Sequence, residues 1–301
     1  MNAETGSNTL LRYVFNHKPY SIRTQRYVLE NFTALFPRPR GTRFEWFSLG
    51  GVPARWTRGH EDGSGRVIYY LHGGGFVTGS SRSHRFLVAW LCKLSQSTGV
   101  CVEYRRAPED PFPAALVDAL AGYRSLLARG VPAQNIVLAG DSAGGGLAVS
   151  LLLVLSAAGD PLPTAAYLMS PWVDLTSCHR PFPLADRVMP ELANLACDYL
   201  AGMYAGEHDP SHPLLSPVYG DLSGLPPLYV AAGRGEPLRS DAERLVRKAE
   251  QCGTPARLHL YPGPLHVAQA LAPFYGPARR LLEAGARFLK EHCPADGQSS
   301  P

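Results

Sequence analysis

The sequence passes from an apolar run into a glycine-rich turn at Ile136-Val137-Leu138-Ala139-Gly140-Asp141-Ser142-Ala143-Gly144-Gly145-Gly146. The apolar residues predict a buried strand, and a helical pattern begins directly after the Gly-x-Ser-x-Gly. This context is typical of a nucleophile elbow, a turn so tight that Gly140 and Gly144 leave almost no room for a side chain. The elbow would place Ser142 at a helix N-terminus, where free N–H groups favour a developing negative charge. Ser142 is therefore the candidate nucleophile.

A second glycine-rich turn, His72-Gly73-Gly74-Gly75-Phe76, directly follows the apolar run Val67–Leu71. Backbone N–H groups can converge on an oxyanion only where side chains leave the approach open, which accounts for the glycines. His72 leads into this turn. We interpret it as a residue that holds the loop by hydrogen bonds, and not as a catalytic base.

Strand-like apolar runs alternate with helical patterns along most of the chain, which predicts an α/β fold with a mostly parallel sheet covered on both faces. The segment Arg43–Trp56 alternates in polarity and contains Gly50-Gly51, so it predicts an antiparallel hairpin at the sheet edge. The predicted strands are Val67–Leu71, Val100–Tyr104, Ile136–Ala139, Ala165–Met169, Leu228–Ala232 and Leu258–Tyr261, and the predicted helices span 84–98, 114–129, 143–157, 241–251 and 277–291.

Two segments break this alternation: an N-terminal segment, 1–42, and a proline-rich insertion, 178–225. Long insertions in compact domains are usually lids or binding loops, so we expect the two to pack together as a helical cap over the catalytic face. The catalytic domain is then 43–177 together with 226–293, and 294–301 is expected to be a disordered tail.

The catalytic base is expected late in the chain, since triad residues of this architecture follow the order Ser, acid, His. His266 follows Tyr261-Pro262-Gly263-Pro264-Leu265, a loop through which no strand can continue, and is the predicted base. His259 lies inside the last predicted strand and is interpreted as structural. His292 lies in the last helix and is interpreted as solvated.

Two carboxylates compete for the role of the acid in the loop after Leu228–Ala232. Ser240-x-x-Glu243 has the form of a capping box, which predicts Ser240 as N-cap and Asp241 as the first helical residue. The helix dipole would then account for Asp241. Glu236 lies in the loop itself and has no such explanation, so it is the predicted acid.

The composition excludes several classes of protein. The chain has 301 residues, 45% of them hydrophobic and 18% charged, which supplies a large core and excludes a disordered chain. No apolar run is long enough to cross a bilayer, and the first ten residues lack the apolar region of a signal peptide. Six cysteines show no CxxC and no metal-ligand spacing, so we expect reduced thiols in a cytoplasmic protein without a bound metal.

The net charge of +4 is concentrated near the N-terminus, where residues 1–43 contain seven basic side chains against Glu4 and Glu30. No nucleic-acid motif or interleaved aromatic platform accompanies them, so a nucleic-acid partner is not expected. We interpret them as a solvated helical face. The alternative is a basic rim that attracts acidic partners to a substrate entrance.

Taken together, the motifs resemble the hormone-sensitive-lipase-like family of α/β-hydrolases (the bacterial, family IV esterases). In motif detail they are most similar to its heroin-esterase and lactone-hydrolase-like members. The matching segments follow the family's order over about residues 66–290: His72–Phe76, Tyr104-Arg105-Arg106-Ala107-Pro108-Glu109, Gly140–Gly144, Ser170-Pro171-Trp172-Val173-Asp174, Glu236-Pro237-Leu238 and Leu265-His266-Val267.

This resemblance implies an α/β-hydrolase fold, and oxyanion donors at the N–H groups of Gly74, Gly75 and Ala143. It implies that Arg105 and Glu109 are structural, a role that we also assign to Asp174. The chain departs from the family at two positions: Glu236 stands where Asp is usual, and Val267 follows the histidine in place of the usual Phe.

The expected function is hydrolysis of small-molecule esters with short to medium acyl chains, through an acyl-enzyme and without a cofactor. Phe76, Trp172 and Tyr204 are candidate pocket residues, with ordinary core packing as the alternative reading of each. The alternative functions are a lactone hydrolase, an acyltransferase with the same triad, and a non-catalytic binding homologue. A homodimer is a candidate assembly.

Overall fold

The computed structural model describes residues 21–59, 64–176 and 190–293. The helices are α1 (Ile22–Ala34), α2 (Arg85–Ser95), α3 (Ala114–Ala128), α4 (Ala143–Ala158), α5 (Pro190–Ala205), α6 (Arg239–Gln251) and α7 (Gly276–His292). The strands are β1 (Arg43–Leu49), β2 (Val52–Arg58), β3 (Val67–Leu71), β4 (Thr98–Val102), β5 (Ile136–Asp141), β6 (Ala166–Met169), β7 (Leu228–Gly233) and β8 (Ala256–Tyr261).

The strands form one eight-stranded sheet in the order β1-β2-β4-β3-β5-β6-β7-β8. The hairpin β1–β2 is antiparallel and lies at the sheet edge, β2 pairs antiparallel with β4, and every later pairing is parallel. This confirms the predicted α/β architecture. The carboxyl ends of β3, β5, β7 and β8 lie along one edge of the sheet, which is where ligands bind in parallel α/β sheets.

Apolar side chains cover both faces of the sheet. Tyr69 and Leu138 face a core completed by α3, α4 and α6, while Tyr70 and Val137 face a second core completed by α2 and α7. Successive side chains of a strand point to opposite faces, so strands buried on both sides are apolar throughout. The central strands meet this requirement, and β3 is buried at every residue.

Arg26 is one of the residues through which the N-terminal helix α1 is attached to the rest of the chain. Arg26 donates from Nε to the Val77 carbonyl (2.7 Å) and from Nη2 to the Ala107 carbonyl (2.8 Å), and its guanidinium pairs with Glu109. The expectation that the basic N-terminal residues form a solvated face is therefore wrong for Arg26, because these backbone oxygens take up its donors. That 1–42 packs against 178–225 as a cap stays a prediction.

The start of α6 differs from the sequence-based expectation. The helix begins at Arg239 with Leu238 as N-cap and has no side-chain capping bond, so the predicted capping box at Ser240 does not form. Asp241 is 2% exposed and accepts hydrogen bonds from the N–H groups of Val173 and Asp174. The interpretation of Asp241 as an ordinary carboxylate at a helix start is wrong, because the helix begins earlier and turns this residue inward.

Within the described ranges, no helix is both long enough and apolar enough to cross a bilayer. Among the described residues, Cys92, Cys101, Cys197, Cys252 and Cys293 are not in disulfide bonds. The predicted disordered tail, 294–301, lies outside the described residues, as does Cys178.

Candidate active site

Ser142 is the single residue that connects the end of β5 to the start of α4. It has a backbone conformation (φ 52°, ψ −124°) that L-residues rarely adopt. The surrounding chain holds it there: its N–H donates to the Met169 carbonyl, and its carbonyl accepts from Gly145, Gly146 and Trp172. These bonds compensate for the strain of the turn, which exposes the side chain at the carboxyl edge of the sheet.

The crowding predicted around this turn is present. A Cβ on Gly140 would lie 2.5 Å from the Gly144 carbonyl oxygen, and a Cβ on Gly144 would collide with the Leu71 carbonyl. A larger residue at Gly140 would open the turn itself, and one at Gly144 would push the turn away from the end of β3. The glycines therefore fix the distance between the turn that carries Ser142 and the loop that follows β3.

His266 is brought to Ser142 from a loop that lies 124 residues later in the chain. The distance between His266 Nε2 and Ser142 Oγ is 3.0 Å, and the imidazole is 38% exposed. The next residue, Val267, has a positive φ of 50° and donates its N–H to Ser170 Oγ at 3.1 Å. This bend turns the imidazole of His266 back over the sheet edge towards Ser142.

Glu236 lies behind the imidazole and is completely buried. Its Oε2 lies 3.6 Å from His266 Nδ1, a contact longer than a normal hydrogen bond. Ser170 Oγ donates to the same Oε2 at 2.8 Å. Among the described residues, no hydrogen-bond partner faces Glu236 Oε1. The structure thus brings Ser142, His266 and Glu236 together, while Asp241 binds backbone N–H groups away from the imidazole.

Ser170 and Tyr261 connect the carboxylate to the histidine loop, and sequence reasoning gave neither a role. Tyr261 Oη donates to the Leu265 carbonyl (2.9 Å), accepts from Ala268 N–H (3.2 Å) and lies 3.5 Å from Glu236 Oε2. Burial, together with the neighbouring carboxylate, raises the pKa of Tyr261 to about 12, so the phenol remains a donor. Their position in the sequence could have indicated a role at the site, since both residues lie at the carboxyl ends of predicted strands.

The glycine-rich loop after β3 lies beside Ser142. Gly74 and Gly75 have positive φ values of 121° and 62°, and Ala143 is the first residue of α4. In the described part of the chain, the N–H groups of these three residues donate to no carbonyl or side chain. The first N–H groups of a helix have no partner within the helix. All three predicted oxyanion donors are therefore available to a ligand.

His72 lies at the start of the glycine-rich loop and is fully buried. Its Nδ1 donates to the Gly73 carbonyl at 2.9 Å, its ring stacks on Tyr104 at 4.1 Å, and Tyr104 Oη donates to the His72 carbonyl at 2.6 Å. Burial, together with the nearby His84, lowers the pKa of His72 to about 3. A neutral imidazole with no exposure fits a role in holding the loop and not in general-base chemistry.

The three candidate pocket residues form one aromatic group next to the glycine loop. The rings of Phe76 and Tyr204 stack at 3.7 Å, Trp172 lies 6.1 Å from Phe76, and none of the three is more than 3% exposed. A Cβ on Gly75 would lie 2.7 Å from Leu200 Cδ1, so α5 packs directly over the loop. The three residues belong to the main core, and their role in lining a substrate pocket stays a prediction.

Residues interpreted as structural make contacts away from Ser142. Arg105 pairs with Asp118 at 2.8 Å, Asp174 pairs with Arg244, and His259 hydrogen-bonds to Tyr229. His292 packs on the ring of Phe288 at 4.2 Å and is only partly exposed, so it is not simply solvated. The described ranges contain no cluster of three or more His, Cys, Asp or Glu side chains that could hold a metal ion.

Comparison with known proteins agrees with this geometry. A family model described as the alpha/beta hydrolase fold matches residues 68–270. The chain is 42% identical over 248 residues, covering 81% of each chain, to an acetyl-hydrolase of Streptomyces hygroscopicus. It is 31% identical to an esterase of Acinetobacter venetianus strain RAG-1, covering 87% of each chain.

Two solved structures share the whole fold. The crystal structure of an esterase from the bacterial hormone-sensitive lipase family superposes with a TM-score of 0.87 at 33% identity, covering 97% of this chain and 100% of that one. A crystal structure of the esterase EstE5, soaked with p-nitrophenyl butyrate, gives a TM-score of 0.87 at 32% identity and covers 98% and 100% of the two chains.

Proposed function

This chain belongs to the alpha/beta hydrolase fold family, among its hormone-sensitive-lipase-like esterases, and is an ester hydrolase. From that premise we propose that Ser142, His266 and Glu236 hydrolyse carboxylic esters through a covalent acyl-enzyme. The observation that carries the proposal is the 3.0 Å contact between His266 Nε2 and Ser142 Oγ, made beside N–H groups that have no partner in the described structure.

The reaction follows from these positions. Ser142 Oγ attacks the ester carbonyl carbon while His266 Nε2 takes its proton, and the carbonyl oxygen becomes an oxyanion that Gly74, Gly75 and Ala143 bind. When the intermediate collapses, His266 gives the proton to the leaving alcohol and Ser142 keeps the acyl group. In the second half, His266 takes a proton from a water molecule whose oxygen attacks the acyl carbon. The bond to Ser142 Oγ then breaks, His266 returns the proton to Ser142 Oγ, and the acid leaves.

Glu236 faces Nδ1, the nitrogen of His266 that is not used in the proton transfers. A buried carboxylate there selects the tautomer with Nδ1–H and stabilises the imidazolium that forms in each transition state. The chain has Glu where its family usually has Asp. The extra methylene allows a carboxylate from a more distant loop to reach the ring, and Ser170 fixes the longer side chain through Oε2.

We propose short to medium acyl chains as the substrates. Stacked Phe76 and Tyr204, with Leu200 above Gly75, place bulky groups near the oxyanion donors and limit the space for an acyl chain. Similarity to an acetyl-hydrolase, and to an esterase soaked with a butyrate ester, supports the same range. A lactone hydrolase and an acyltransferase remain alternatives, since both use the same triad. Cytoplasmic location and a homodimer stay predictions.

The test is a rate profile over p-nitrophenyl esters from acetate to palmitate, measured beside a panel of lactones, with Ser142→Ala as the control. We expect the highest kcat/KM between two and eight acyl carbons and no turnover by the control. Product analysis with added alcohol separates hydrolysis from acyl transfer. Faster turnover of lactones than of every ester would replace the proposed substrate class.

A further inference from the structure

A second histidine, His84, lies behind the glycine loop and is not used by the proposed mechanism. It is the residue before α2, and its side chain is 15% exposed. Its Nε2 lies 3.3 Å from Asp141 Oδ2, and its Nδ1 lies 2.8 Å from Ser83 Oγ and 3.2 Å from the Ser80 carbonyl oxygen. Asp141 is the residue directly before Ser142.

Each ring nitrogen of His84 faces a hydrogen-bond acceptor. Ser83 Oγ donates its one proton to the Ser80 carbonyl at 3.0 Å, so towards His84 it can only accept. Nδ1 must therefore donate, and Nε2 faces a carboxylate. A ring that faces an acceptor at each nitrogen is stabilised as an imidazolium, so His84 and Asp141 are paired as a buried cation and anion.

The charges around the pair agree with this assignment. Burial opposes a charge on His84, but the Asp141 carboxylate and, more weakly, Glu103 outweigh it and raise the pKa of His84. For Asp141, burial opposes the charge as well, while His84 and the Tyr70 hydroxyl lower its pKa. The other titratable groups near the pair include His72, which stacks at 5.6 Å from His84, and Cys101 and Tyr104, which both interact electrostatically with Asp141.

The ion pair acts on the glycine loop through the second carboxylate oxygen. Asp141 Oδ1 accepts from Gly73 N–H at 3.0 Å and from Tyr70 Oη at 2.6 Å. Gly73 immediately precedes the proposed donor Gly74, and Asp141 immediately precedes Ser142. The Asp141 carboxylate thus connects the turn that carries Ser142 to the glycine-rich loop after β3, which we call the oxyanion loop. His84 balances the negative charge of Asp141 in a site where an unpaired carboxylate would be costly.

We propose that His84 is a positioning residue for ester hydrolysis, whose ion pair with Asp141 holds the oxyanion loop at the correct distance from Ser142. This inference rests on the proposed function. A misplaced oxyanion loop weakens binding of the tetrahedral transition state more than binding of the ester. Loss of one complete oxyanion donor lowers kcat by about 100- to 1,000-fold, and a shifted loop is expected to lower it by about 10- to 100-fold.

The experiment compares His84→Gln with His259→Gln, a matched control at a histidine that hydrogen-bonds to Tyr229 away from Ser142. For His84→Gln we expect kcat to fall about 10- to 100-fold while KM changes less than about threefold. A trifluoromethyl ketone, which forms a tetrahedral adduct with the serine, should lose affinity in parallel with kcat/KM. The control should match the unmodified protein in each measurement.

Amide hydrogen exchange of the 72–79 segment supplies a readout that needs no turnover. We expect faster exchange in His84→Gln than in His259→Gln, whether or not the protein hydrolyses the esters supplied. Absence of ester hydrolysis by the unmodified protein would therefore overturn the proposed function without deciding the role of His84. Exchange and kcat both equal to the control would overturn the role of His84.

Two further variants test the same proposal, and the first of them needs no folded His84→Gln protein. Ser83→Ala removes the nearer of the two acceptors of Nδ1, together with the bonds between Ser83 Oγ and Ser80, and we expect kcat to fall about 3- to 10-fold with an unchanged KM. Combining His84→Gln with Asp141→Asn creates a neutral pair that can still accept from Gly73 N–H. This double variant should lose less than the product of the two single losses. An unchanged kcat in Ser83→Ala would contradict the proposal. A kcat loss in the double variant equal to the product of the two single losses would contradict it as well.

Discussion

Glu236 and His266 meet across the carboxyl ends of β7 and β8, with Oε2 of the buried carboxylate 3.6 Å from Nδ1 of the imidazole. Both groups also contact Ser170: its hydroxyl donates to the carboxylate and accepts the N–H of Val267, the residue after His266. The proposed acid and the proposed base are therefore attached to one another through Ser170, which directly follows β6. A change at the Glu236 carboxylate should therefore affect the His266 imidazole directly.

Replacing Glu236 by Gln should lower kcat for p-nitrophenyl acetate by at least about a thousandfold, because a neutral amide neither selects the Nδ1–H tautomer nor stabilises the imidazolium. Asp241→Asn is the matched control, and should lose less than about tenfold, because Asp241 binds the backbone N–H groups of Val173 and Asp174. The opposite order of the two kcat values would assign the acid to Asp241.

Ser142 should be the single residue labelled by an organophosphate, because among the described residues it alone combines the strained turn, the contact with His266 Nε2 and the adjacent N–H groups without a partner. Mass spectrometry of the labelled protein locates the adduct. Ser142→Ala should lose labelling and ester hydrolysis while its melting temperature stays close to that of the unmodified protein. An adduct on any other serine would exclude Ser142 as the nucleophile.

Asp241→Asn should also change how stability depends on pH. Burial, with the Asp174 carboxylate adding to it, raises the pKa of Asp241 to about 7. A carboxyl group with a raised folded-state pKa contributes stability below its unfolded pKa of 3.8, and this stability is lost as the pH rises towards 7. One oxygen, Oδ2, accepts both backbone N–H groups, so an asparagine oxygen can replace it.

The stability of Asp241→Asn relative to the unmodified protein should therefore increase by about 1–4 kcal/mol between pH 4 and pH 7. Chemical denaturation at a series of pH values measures this difference. Glu207→Gln, at an exposed residue, is the control and should show no such trend. A constant difference across that range would show that Asp241 stays ionised in the folded protein.

Local sequence patterns predicted the sheet and the three residues proposed as the triad. Strand runs, glycine turns and chain order are local properties, and they are enough to indicate Ser142 and His266. The roles of Asp241, His84 and Arg26 are not local, since they depend on contacts with residues distant in the chain or on the exact start of a helix. For Asp241, a helix start two residues earlier than expected turned a surface carboxylate into a buried one.

Arg26 connects helix α1 to the oxyanion loop, on the side of that loop that faces solvent. Its guanidinium donates to the carbonyls of Val77, just after the glycine turn, and Ala107, and it pairs with Glu109. The Glu109 side chain is 59% exposed, so screening leaves the ion pair itself little stabilising effect. The two bonds to backbone carbonyls involve a charged donor that is 17% exposed, and they should contribute more.

Arg26→Gln should therefore lower kcat/KM by about 3- to 30-fold, because α1 would no longer hold the Val77 end of the oxyanion loop. Arg23→Gln removes the same charge from an exposed position of the same helix and should leave kcat/KM unchanged. The comparison is made with acetate and octanoate esters, since a loosened N-terminal segment should also broaden acyl-chain preference. Equal changes of kcat/KM in the two variants would show that only the positive charge of α1 matters. An unchanged kcat/KM and an unchanged acyl-chain preference in Arg26→Gln would show that α1 does not influence the site through Arg26.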